Sequence, residues 1–196
     1  MNIWMTADTH FSHTNIAGPK VSKWKDGYRN FDTVQDMNST LIKNINDCVK
    51  EDDILFHLGD FNFGSEYNML SFRKALICKE IHLILGNHDN IFDEDKRYKL
   101  KRLSFDPYSL FKTVRDTYSG YIGKNYFHLS HYSHRVWPKS HRGSIHLYGH
   151  SHASIPDFSR SMDVGVDAHP DFRPFHIDEI IKKMDQIEIV RVDHHE

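Results

Sequence analysis

The sequence predicts an α/β fold, and three features predict it. Short apolar runs at residues 2–7, 54–58 and 81–85 each end in a polar turn. Between them, apolar residues repeat at helical spacing. The resulting order of strand, helix, strand, helix, strand builds parallel crossovers. The third feature is size: 196 residues with 39% apolar content can bury a sizeable core yet fit one domain. With no internal repeat and no linker, residues 1–196 are expected to form a single domain.

Each element has its own signal. Residues 2–7 read as a first strand ending in Asp8-Thr9-His10. Asp8 and His10 are two apart, so an extended strand end would point both to one side. Residues 18–30 are polar and read as a loop. Asp32 or Thr33 can cap a helix whose apolar face is Val34, Met37, Leu41, Ile45 and Val49. Residues 54–58 form a second buried strand running into Gly59-Asp60, with His57 read as a core histidine. Residues 66–76 read as a second helix with Tyr67, Leu70 and Ala75 inward. The strand at 81–85 runs into Gly86-Asn87-His88-Asp89, where glycine permits a tight turn with unusual backbone angles.

The second half looks more antiparallel. Residues 93–102 carry Lys96, Arg97, Lys99, Lys101 and Arg102, read as a solvated helical face before a phosphate contact. Residues 114–122 and 126–130 flank Gly123-Lys124-Asn125, a hairpin signal. The second of these strands leads into His131. Residues 144–148 form a strand ending in Gly149-His150-Ser151-His152. A short strand at 162–167, a helix at 178–184 and a final strand at 187–192 complete the chain.

Composition excludes several classes. A formal net charge of -2 gives no general attraction to nucleic acid or anionic membrane. Cys48 and Cys78 match no zinc spacing and read as buried reduced thiols. No stretch approaches the roughly 18 apolar residues of a membrane span. No signal peptide is evident, so a cytoplasmic protein is expected. The unusual number is sixteen histidines. Histidine is the commonest metal ligand, and position must sort ligands from the rest.

The strand ends do that sorting. They collect Asp8, His10, Asp60, Asn87, His88, His131, His150 and His152. Imidazole and carboxylate together suit Zn, Fe, Mn, Ni or Co better than Ca or Mg. The donors are too many for one ion and suit two ions sharing a carboxylate.

In order, these motifs resemble those of the calcineurin-like metallophosphoesterases: Asp8-Thr9-His10, Gly59-Asp60, Gly86-Asn87-His88-Asp89, a lone His131 and Gly149-His150-Ser151-His152. The start at Asp8 to Phe11 and the downstream Asp163-Val164-Gly165-Val166-Asp167 are similar to a small bacterial and phage branch of that family. The resemblance implies a four-layer α/β/β/α sandwich of two mixed sheets. It implies that Asp8, His10 and His152 hold one metal, that Asn87, His131 and His150 hold a second, and that Asp60 bridges them. His88 would approach the substrate and serve its leaving oxygen, with Asp89 as an orienting carboxylate. Asn87 would share the substrate contact. Arg29, where the branch has Arg-Pro-Phe and this chain has Arg29-Asn30-Phe31, is a candidate phosphate contact. The chain departs from the family at Phe61-Asn62-Phe63 and at His131-Tyr132-Ser133, and His128 and His134 compete for the lone-histidine position.

The function so implied is hydrolysis of a nucleotide-like or other small phosphodiester by water activated between two divalent ions, with Mn first and Fe, Zn or Ni open. The alternatives are a nuclease or a phosphomonoesterase using the same ligands, and a non-catalytic metal-binding scaffold. Nucleic acid is the less favoured partner and membrane none. The loops at 18–30 and 132–143 are expected to form the pocket walls.

Overall fold

In the computed structural model, which describes residues 1–24, 29–93 and 105–192, the strands form two mixed sheets. The basic run from Lys96 to Arg102 lies outside the described residues. Strands β1 (Ile3–Thr6), β2 (Ile54–His57), β3 (Glu80–Ile84) and β4 (Thr113–Arg115) pair in parallel. The antiparallel β9 (Phe175–His176) joins the edge of β1. In the second sheet, β5 (Thr117–Ile122) runs antiparallel to β6 (Asn125–Ser130), which is followed by parallel β7 (Ile145–Tyr148) and β8 (Ser161–Asp163).

Period-two alternation sorts the side chains into layers. Met5, Phe56, Leu58 and Ile84 of the first sheet meet Phe127, Leu129, Ile145 and Leu147 of the second in one buried cluster. Leu55, Ile81 and Leu83 face the other way, onto α2 (Val34–Cys48) and α3 (Glu66–Ala75) through Ile45, Met69 and Phe72. Thr33 caps α2, its hydroxyl accepting from the Asp36 N–H, so the helix starts where the sequence signals it. A short α1 (Thr14–Ala17) follows the first strand end, and α4 (Ile177–Met184) buries Ile180 and Met184 in the inter-sheet core. No described helix is long and apolar enough to cross a membrane.

Three expectations are corrected. In α3 the inward residues are Met69 and Phe72, while Tyr67 is 73% exposed. The expected strand at 114–122 breaks at Asp116 into β4 and β5, which belong to different sheets. Residues 188–192 form no strand; the last pairing partner of β1 is β9, too short to show a periodic signal.

The outer face of the second sheet carries a histidine cluster. The His146 Nδ1–H donates to the His128 carbonyl, and its Nε2 accepts from the His134 N–H. Burial pushes His146 down to about 3 and His128 to about 4. His57, fully buried beside Thr9, is likewise lowered to about 3 by burial. These groups are neutral when folded and protonate once unfolded below about pH 6.5, so the unfolded chain then binds more protons. Stability is therefore full above about pH 6.5 and falls as pH drops towards 3, by roughly 3–5 kcal/mol for a fully realised shift of one such group. Urea midpoints measured from pH 7.5 to 4 should decline less steeply in His146→Gln than in the native chain. Parallel slopes would remove His146 from this account.

Candidate metal centre

Five of the expected ligands sit on left-handed backbone: Asp8 (φ 55°), His10 (φ 45°), Asp60 (φ 56°), His150 (φ 67°) and His152 (φ 47°). Asp8 and His10 thus do not extend the strand as their two-residue spacing suggested; the chain turns at each. Such conformations cost about 1–3 kcal/mol each and persist only where the surroundings impose them. The surroundings are on view. The Asp8 N–H donates to the Gly59 carbonyl, and the His10 N–H to that of Asp60. The Asp163 carboxylate accepts from the Ser151 hydroxyl and from the N–H groups of Ala153 and Gly165, pinning the turn that carries His150 and His152.

Gly86 is needed for space and not for an unusual φ. A Cβ there would lie 2.3 Å from Asp60 Oδ1 and 2.4 Å from the Asp60 nitrogen. The turns after β2 and β3 therefore touch through a glycine. Asp89 clamps the same contact: its carboxylate accepts from the N–H groups of Gly86, Asp60 and Phe61 at 2.8, 2.8 and 3.0 Å. Those bonds, not His88, are what Asp89 orients, which corrects the expected Asp89–His88 pairing. Burial pushes its carboxyl up to about 7.

The turns converge on two ligand groups. Asp8, His10 and His152 form one, and Asp60, His131 and His150 the other, with ligand atoms within 4.8 Å of one another in each. Asp60 joins them: its Oδ2 lies 3.4 Å from His10 Nε2 and 3.5 Å from His131 Nε2. A third grouping places His88 with His10 and Asp60. Of the competing histidines, His131 is brought here, while His128 and His134 belong to the outer cluster.

The donor chemistry fits cations. The His131 Nδ1–H donates to the Leu58 carbonyl, which leaves a lone pair on Nε2. That lone pair faces Asn87 Oδ1 at 3.0 Å and Asp60 Oδ2. Three acceptors pointing at one another need a cation between them. The protein's own answer is a proton: burial lowers His131, but the hydrogen bond and charge of Asp60 outweigh it and raise the imidazole to about 9. Asp60 is pushed up by burial yet held well below the usual carboxylate range by His131 and His10. In the other group, Asp8 Oδ1 and both ring nitrogens of His10 are buried without a hydrogen-bond partner. Burial raises Asp8 to about 7 and drives His10 well below its ordinary value. A bound divalent ion would satisfy Asp8 Oδ1 and the His10 nitrogen that carries the lone pair.

Arg29 plays a different part from the one expected. It is buried, and its five N–H donors are all engaged. They reach Asp167 twice, the carbonyls of Asp8 and Thr9, and the Met37 sulfur. No donor is left for a phosphate. Instead Arg29 braces the Asp8–Thr9 turn and Asp167, and Asp167 accepts from the His152 Nδ1–H at 2.7 Å. His152 is thereby fixed with Nε2 free for a metal, the usual role of a carboxylate behind a ligating imidazole. Sequence reasoning gave no role to Asp167, Asp163 or His13. His13 is buried, its ring 5.6 Å from that of His10 and 6.2 Å from that of His88. Its position three residues after His10 was the signal that could have found it.

Comparison with known proteins supplies the family. The sequence profile of the calcineurin-like phosphoesterases matches residues 1–168. An uncharacterized protein of Methanocaldococcus jannaschii is 30% identical over 204 residues, covering 96% of this chain and 94% of its own. The gene 66 protein of Mycobacterium phage L5 is 27% identical over 192 residues, covering 85% and 87%. Among solved structures, a protein of unknown function from Aquifex aeolicus overlays with a TM-score of 0.60 at 19% identity, covering 93% of this chain and 98% of its own. The profile match and the archaeal relative span nearly the whole chain, and the chain therefore belongs to the calcineurin-like phosphoesterase family.

Proposed function

We propose that the protein is a two-metal phosphodiesterase acting on a small diester. The observation that supports this reading best is the pair of ligand groups that meet at Asp60, one with buried atoms lacking any partner and the other with acceptors held together by a proton. Asp8, His10 and His152 would hold one ion, Asn87, His131 and His150 the other, and Asp60 would touch both. Imidazole with carboxylate suits Mn, Fe, Zn or Ni. When bound, such ions supply Lewis-acid charge on phosphoryl oxygens and lower the pKa of water to about neutral.

The protein's own residues do the rest. Asp60 sets the spacing of the two ligand groups, because its carboxylate is reached from both. Asn87 turns its Oδ1 to His131 and the Tyr132 hydroxyl, so its amide N–H groups would be the ones to meet a phosphoryl oxygen. His88 stands over the cluster, its N–H bonded to Asp60 Oδ1 and its ring 5.3 Å from that of His10. It is the group to give a proton to the departing alkoxide. Protein stripped of metal and reloaded with Mn²⁺ should cleave bis-p-nitrophenyl phosphate at least about tenfold faster than p-nitrophenyl phosphate by kcat/KM. A monoester preference would make it a phosphatase. No cleavage of either with two ions bound would leave a binding scaffold.

A further inference from the structure

Tyr132 stands between two cavities that open at the metal cluster. One, of about 400 Å³, is lined by Asn87, Asn90, Asp93 and Asp116, with Tyr132 as a wall. The other, of about 600 Å³, has Tyr132 as its opposite wall, with Ser133, His150, His152, Ser154 and Ile155. Both volumes lie in the range of small-molecule sites.

The tyrosine is held by the ligand set and yet open. Its ring packs on His150 at 4.6 Å between centroids and on His131 at 5.1 Å. Its hydroxyl donates to Asn87 Oδ1 at 3.4 Å. Even so, 49% of the residue is exposed, and Ile155 on the same cavity is 42% exposed. The cavity's frame is fixed as well: the Arg135 guanidinium lies 4.0 Å over the Phe158 ring, joining the segment after β6 to the one before β8.

The occupant follows from where phosphorus must sit. With the phosphoryl group at the cluster, whatever reaches Tyr132 is an arm of the ester. The larger cavity offers an aromatic ring and an aliphatic side chain, with hydroxyls and imidazoles at the margin. That pattern takes a flat ring with polar edges, as stacking platforms for bases do.

Resting on the phosphodiesterase reading above, we infer that Tyr132 is a stacking platform that selects among diesters. One arm of the preferred ester carries a flat, nucleobase-class ring that stacks on Tyr132 beside Ile155.

The test compares two esters with the same leaving group, thymidine 5′-(p-nitrophenyl phosphate) and methyl p-nitrophenyl phosphate, on Mn²⁺-loaded protein. Base–aromatic stacking is typically worth about 5- to 150-fold. The native enzyme should favour the nucleoside ester by about tenfold or more, carried by KM with kcat similar. Tyr132→Ala should bring that ratio near one, and Tyr132→Phe should keep it. Ile155→Ser, outside the ligand set, should reduce the ratio and serves if Tyr132→Ala binds less metal. Equal kcat/KM for the two esters in the native enzyme, or a preference that survives Tyr132→Ala, overturns the inference. Calorimetric titration of thymidine 5′-monophosphate against methyl phosphate reads the same subsite without turnover. Nucleotide binding lost in Tyr132→Ala, with no ester hydrolysed, would keep the stacking platform and overturn the phosphodiesterase reading. Hydrolysis of both esters without preference would do the reverse.

Discussion

Asp60→Asn will lose both metal ions and turnover together. The carboxylate is the group reached from both ligand sets, at 3.4 Å from His10 and 3.5 Å from His131. Replacing it with an amide removes the negative charge that two ions would share and leaves a weaker donor. It also removes what holds His131 protonated, so the lone pair facing Asn87 Oδ1 has no cation left to relieve it. The fold should tolerate the change, because asparagine is nearly isosteric. Its Oδ1 can still accept from the His88 N–H, and the backbone bond to Asp89 is untouched. Metal content after gel filtration should fall from two ions towards none, and kcat/KM on the diester by about 10³-fold or more. That exceeds the 10–100-fold typical of residues one shell further out. Two ions retained at native affinity, with circular dichroism unchanged, would end the bridging role.

The side chains that cluster were legible in sequence because each follows an apolar run, and an apolar run ending in a polar turn is a local pattern. Asp8, Asp60, His131 and His150 all lie at such ends. The strand order of the first sheet was half legible for the same reason: β1, β2 and β3 alternate with α2 and α3. What escaped was whatever depends on distant partners. Arg29 looks like a loop arginine until Asp167, 138 residues on, is seen to accept two of its bonds. Asp89 looks like a partner for its neighbour His88 until the backbone N–H groups of Asp60 and Phe61 are found on it. β9 has two residues and no period to detect. The left-handed turns at Asp8 and His10 left no trace either, since neither residue type demands that conformation. Tyr132 was visible only as a departure from the family pattern; its place between two cavities is a fact of the fold.

His88→Ala will keep both ions and lose turnover, and the loss will depend on the leaving group. His88 shares a grouping with His10 and Asp60, so ligand and proton donor are both geometrically open to it. Its anchoring favours the second role. Asp60 receives the His88 backbone N–H at 2.8 Å, while the side chain stands among the rings of His10, His13 and Phe63. The two ligand groups on either side of Asp60 are complete without it. A general acid contributes typically about 10²–10⁴-fold, and it contributes most where the departing oxygen is basic. Cleavage of an alkyl diester should therefore fall by about that range in the variant. Cleavage of a p-nitrophenyl ester, whose leaving group departs well unprotonated, should fall far less. A metal ligand would behave otherwise: its removal would lower the ion count and depress both substrates alike. Metal content and the slope of rate against leaving-group pKa thus separate the two roles. A steeper slope with two ions bound assigns His88 to the leaving oxygen, and one ion lost with the slope unchanged assigns it to the metal.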